Sequence, residues 1–179
     1  MPDWGKRLRA GLGKATARPK GIEVYDGLRS MALGIDPATI TIPDGAPWTG
    51  AAMAAMEMGM AGAVATIVAI ADGSVSMYLS SGGGVIGAGE QAAVRAAADR
   101  FRSVAADSRG LLQRTEDFAP PETGQVRFHV RTSDGSYSGG TAQAALGAGR
   151  HPLLPLFAAG QDLLTEIRLS SPGDGKHPG

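Results

Sequence analysis

The chain has 179 residues, 43% of them apolar and 19% charged, the composition of one globular domain able to bury its own core. It has no cysteine, which excludes disulfides, thiolate catalysis and zinc–thiolate sites. Formal charge is balanced, but residues 1–20 hold six basic side chains (Lys6, Arg7, Arg9, Lys14, Arg18, Lys20) against Asp3, leaving a body mildly acidic and unsuited to nucleic acid.

Residues 1–21 read as a flexible basic arm. Trp4, Leu8 and Leu12 recur every four residues, the spacing of a transient amphipathic helix, although Gly5, Gly11 and Gly13 weaken it. Such an arm suits weak tethering to an anionic membrane surface. A disordered tail is the simpler reading of the same residues. No apolar run of secretory length follows the basic residues, so a cytoplasmic protein is expected. Residues 170–179, SSPGDGKHPG, read as a disordered tail, leaving a single domain over 22–169.

The domain is expected to open with a short helix over 24–35, carrying Leu28, Met31 and Leu33 on its apolar side, followed by a loop through Pro43 and Pro47. Residues 46–71 contain one charged side chain, Glu57, and are long enough to span a bilayer. Ala, Gly, Met and Thr dominate them, however, and two adjacent core strands explain the run. Within it, 48–58 is ambiguous between helix and strand. Its apolar residues at even positions favour a strand, with Met56 and Met58 in the core and Glu57 facing the other way. Residues 63–71, AVATIVAIA, form the clearest strand. Asp72-Gly73 then signals a two-residue hairpin turn, and Val75, Met77 and Leu79 alternate with polar residues in a half-buried return strand.

A glycine-rich stretch over 82–89 leads into a helix over 90–107 with Val94, Ala97, Phe101, Val104 and Ala105 buried. Arg95, Asp99 and Arg102 are placed on its wet side. A second hairpin follows. Val126, Phe128 and Val130 face the core, Arg127, His129 and Arg131 face away, and Asp134-Gly135 turns the chain. Gly139-Gly140 is expected to end the return strand, with Thr141 capping a short helix through Leu146. A last helix spans 152–168.

These elements make an α/β protein of α+β type, with a largely antiparallel sheet of about five strands and helices packed on it. The segments TIVAIADGSVSMYLSS, GGGVIGAGEQAAVRAAADRF and LLPLFAAGQDLLTEIR resemble the profilin-like group, especially bacterial roadblock-type domains, and a bacterial family sharing the glycine-rich turn. The resemblance covers about residues 22–168. It implies a non-catalytic, dimerising regulatory module, and it carries over no catalytic residue.

Three stretches are candidates for chemistry. Gly82, Gly84 and Gly87 satisfy G-x-G-x-x-G, so Ser80, Ser81, Gly82, Gly83, Gly84, Gly87 and Gly89 are candidate ligands for a nucleotide or phosphate. The preceding strand is a hairpin arm rather than the start of a βαβ unit, and Glu90 puts negative charge where phosphate would sit. Ser80 or Ser81 as nucleophile would need His129 or His151 as base, and no spacing links them. Arg127, His129 and Arg131 form either a solvated strand face or a small basic patch for a partner. Three distant histidines do not suggest a metal site, and no cofactor is implied. The leading expectation is a non-catalytic interaction or regulatory domain whose partner is a second copy of itself or another protein. Phosphate-ligand binding and membrane contact through Trp4, Leu8 and Leu12 are the alternatives.

Overall fold

A computed structural model describes residues 21–42 and 45–171. The expected arm over residues 1–20, the tail from 172 and Pro43 lie outside the described residues. Gly21 already belongs to the first helix and Ser170 to the last, so the expected boundaries at 21 and 170 each move inward on the flanking segment.

The chain runs α1 (Gly21–Leu33), β1 (Met53–Met60), β2 (Ala63–Ile70), β3 (Val75–Leu79), β4 (Gly84–Ile86), α2 (Ala92–Asp107), β5 (Gln113–Arg114), β6 (Gln125–Thr132), β7 (Gly135–Ala142), α3 (Gln143–Gly147) and α4 (Leu154–Ser170). All strands join one sheet in the order β4-β3-β2-β1-β6-β7-β5, and every pairing is antiparallel. The sheet thus has seven strands rather than about five. The two extra ones are the short edge strands β4 and β5, whose three and two residues carry too little pattern to be read.

Residues 46–71 are not a membrane helix. They hold β1, a turn at Ala61-Gly62 and β2, and among the described residues no helix is long and apolar enough to cross a bilayer. β1 sits in the middle of the sheet, so both its faces are covered. Its even positions, with Met56 fully buried, pack with Ile67, Val126 and Phe128 against Phe101 of α2 and Leu156, Leu163 and Ile167 of α4. Its odd positions, Met53 and Ala55, pack with Val68, Ile70 and Tyr78 against Tyr25, Leu28 and Leu33 of α1. The fold is therefore three-layered: two helices, the sheet, and α1 with the loop before β6. Full burial of each large core side chain stabilises it by roughly 1.5–3 kcal/mol.

Several local expectations are corrected. The loop of the first hairpin has three residues, because Ala69 pairs with Val75 and Ile70 N donates to Ser74 O. Gly73 takes φ 88° at its end, the pattern of a type I turn closed by a left-handed residue rather than a type I′ turn. The second turn is Ser133-Asp134, since Thr132 pairs with Gly135. β7 runs on through Gly139-Gly140 to Ala142, and Ala142, not Thr141, stands at the start of α3 with no side-chain cap. Arg102 is buried rather than wet. It donates to Thr49 O (3.0 Å) and Ala51 O (2.6 Å) and pairs with Asp99, clamping the entry to β1.

Candidate functional site

The side chains with the greatest chemical potential lie between α1 and the sheet. The period of two sends Glu57 of β1, Thr66 of β2, His129 of β6 and Ser138 of β7 to the same face. Arg29 reaches them from α1. Its Nε donates to Glu57 Oε1 and its Nη2 to Glu57 Oε2, both at 2.7 Å, a two-pronged match of guanidinium to carboxylate. Arg29 Nη2 also donates to the carbonyl of Phe118 in the loop before β6.

Most of the remaining hydrogen bonds assign themselves. Thr66 Oγ1 donates to Glu57 Oε1 (2.9 Å), so the Tyr25 hydroxyl, 2.8 Å from Thr66 Oγ1, donates to it. A carboxylate only accepts, so His129 Nε2 donates to Glu57 Oε2 at 2.9 Å. Ser138 Oγ lies 3.0 Å from His129 Nδ1 and donates to it or accepts from it according to the protonation of the ring. Among the described residues, no buried side-chain polar atom of this group lacks a hydrogen-bond partner. Phe118 closes the far side, its ring edge-on to His129 at 5.3 Å, with the Arg131 guanidinium 5.4 Å over the Phe118 ring.

Burial alone would push the Glu57 carboxyl up. The hydrogen bonds from His129 and Arg29 and their charge outweigh it and hold the group at about 2. Burial pushes the Tyr78 phenol far above its usual 10, and the negative charge of Glu57 adds to the effect. Burial also raises Tyr25, against the hydrogen bond with Thr66.

Ser138, His129 and Glu57 stand in a hydrogen-bonded row, the pattern that activates serine nucleophiles. Here His129 and Glu57 are fully buried, and Ser138, which contributes to the lining of a cleft beside β7, is 3% exposed, so the row is closed to bulk solvent in this conformation. The row ties β7, β6 and β1 to α1.

The expected basic face over Arg127, His129 and Arg131 is therefore not a joint surface. His129 is sealed beneath α1 and Phe118. Arg131 Nε donates to Leu33 O (2.7 Å), capping the C-terminus of α1. Arg127 and Arg131 both stay partly exposed, and Arg127 reaches Ala119 O.

The glycine-rich residues fall elsewhere. Gly84 starts the edge strand β4, and a Cβ on Gly89 would lie 1.9 Å from Gly73 O, so that glycine is required for the chain to pass the first hairpin. The amides of Gly82 and Gly87 donate to Leu79 O and Val75 O, and Ser80 Oγ accepts from Val64 N (2.7 Å). A 3-10 turn at Ala88–Glu90 separates the stretch from α2. Ser80 and Ser81 lie three strand spacings from His129, roughly 14 Å, too far for a nucleophile–base pair. His151 Nδ1 accepts from Leu153 N at the entrance to α4.

Sequence reading missed Arg29, Thr66, Tyr25 and Ser138 as members of one group. Glu57 was the available signal. A lone acid in an apolar run must find a cation, and alternation had already placed it opposite the core face.

Two clefts flank the outer edge of β7. One, of about 430 Å³, is lined by Leu111, Gln113, Gly139, His151 and Leu153 among others. The other, of about 370 Å³, is lined by Ala119, Pro120, Gln125 and Val126 among others. Arg127 and Gly140 border both. Comparison of the chain with protein-family models, curated proteins and solved structures finds no match.

Proposed function

We propose that the chain is a non-catalytic interaction domain of the profilin-like, roadblock-type class that pairs with a second copy of itself along β7. The observation that supports this reading is the mismatch between β7 and its neighbour. β5 covers only Tyr137 and Ser138, while β7 continues to Ala142.

The ladder defines what this edge offers. Gln143 N donates to Gly124 O and Thr115 N to Ser136 O, so odd residues of β7 bond to β6 and even ones point outward. Gly140 and Ala142 therefore aim their N–H and C=O groups away from the sheet. An added strand would send alternate side chains into the two clefts on either side. Two identical edges meeting antiparallel form a closed two-fold pair. By contrast, Glu57 and His129 are fully buried and engaged in holding α1.

Sedimentation equilibrium of the full chain tests the reading. A dimer is expected at micromolar concentrations. Ala142 has φ −62°, which proline adopts without strain, so Ala142→Pro removes an outward N–H and leaves the β6 ladder intact. This variant should be monomeric with an unchanged melting temperature. A wild-type monomer at all concentrations, or a variant that dimerises like wild type, refutes the proposal.

A further inference from the structure

At the opposite side of the sheet, beside the β1–β2 turn, two hollows share Gly62, Val64 and Ser80 and form one groove. We infer that this groove is the docking site of the chain's own residues 4–12, folded back within the same molecule. The inference is independent of the dimer edge at β7.

The groove is apolar where it would hold a side chain. Tyr25 and Val64 contribute to its lining, and Ile22 and Met60, which stand on it, are 62% and 42% exposed. These two exposed side chains flank the hollow and would be covered by an apolar segment lying in it. The charged residues lining it are Asp26 and Glu122, both acidic. The segment that fits is one with a few apolar anchors among cations. Residues 1–20 have that character, with Trp4, Leu8 and Leu12 at four-residue spacing and six basic side chains.

The connection favours the same molecule. Residue 20 joins Gly21, which itself lines the groove and whose Cβ position lies 3.4 Å from Gly82 Cα. Eight intervening residues separate Leu12 from Gly21 and extend to about 30 Å at most, ample to turn back over the groove. A tether this short places the segment at an effective concentration on the order of millimolar, so weak contacts suffice. The same apolar stripe that would enter a membrane surface is then covered while docked.

Tryptophan fluorescence tests this on the full-length protein. The chain has two tryptophans, and Trp48→Phe leaves Trp4 as the reporter. Docking predicts a blue-shifted Trp4 emission and acrylamide quenching several-fold weaker than in a synthetic peptide of residues 1–20. Adding Ile22→Glu and Met60→Glu, both at exposed positions, should restore peptide-like quenching while far-ultraviolet circular dichroism is unchanged. Protection should not change with dilution and should weaken in high salt. Peptide-like quenching in the unmutated groove overturns the inference. So does protection lost on dilution, which assigns the segment to a second copy, or protection appearing only with phosphatidylserine vesicles, which assigns it to a membrane. These outcomes leave the Ala142→Pro result unaffected.

Discussion

Replacing Glu57 with Gln tests the central polar group directly. The change is nearly isosteric, but it leaves the Arg29 guanidinium, whose side chain is 15% exposed, without its anion. Breaking a buried pair from one side costs about 3–5 kcal/mol, and partial hydration of Arg29 favours the lower end. A second route gives a similar figure. The carboxyl moves from 4.5 to about 2 on folding, and a shift of that size corresponds to about 3 kcal/mol. The sign follows from the direction. A lowered folded value means the stabilisation is complete above pH 4.5 and disappears as pH falls through 2. Urea unfolding of wild type and Glu57→Gln at matched pH is the assay, because other carboxylates cancel in the difference. The gap should be about 3 kcal/mol at pH 7, constant to about pH 5, and should narrow steadily towards pH 2. Hydrogen exchange should locate the loss in α1. A gap below about 1 kcal/mol at pH 7, or one that ignores pH, refutes the reasoning.

Other perturbations probe separate parts of the fold. Gly160→Ala should destabilise by about 1–3 kcal/mol in thermal unfolding, because its Cβ would stand 2.6 Å from Met56 Sδ where α4 meets β1. Phe128→Ala, at a fully buried position, should cost about 3–5 kcal/mol by denaturant unfolding. In an alkaline titration at 295 nm, Tyr25 and Tyr78 should stay un-ionised until the protein unfolds. Their raised values make stability fall as pH rises above 10, where the unfolded chain ionises first. Removing the exposed partner Asp99 with Asn should cost less than about 1 kcal/mol, since its side chain is 60% exposed.

Much of this architecture is determined locally and is therefore legible in the sequence. Alternation placed β1, β2, β6 and the start of β7, put Met56, Val126, Phe128 and Val130 on one face, and turned Glu57 to the other. The stripe from Val94 to Ala105 marked α2. Those signals depend on the period of a single element. What covers the second face depends on long-range packing, which no single element carries. Arg127, His129 and Arg131 read as a wet strand, and only the placement of α1 and Phe118 over them, from 98 and 11 residues away, turned His129 into a buried donor and Arg131 into a helix cap. The glycine string likewise carries one pattern with two physical uses. Contact with the first hairpin at Gly73, invisible to the string itself, explains why Gly89 must be glycine. Sequence periodicity determined which side of each strand is which; the tertiary structure alone decided which of those sides meets water.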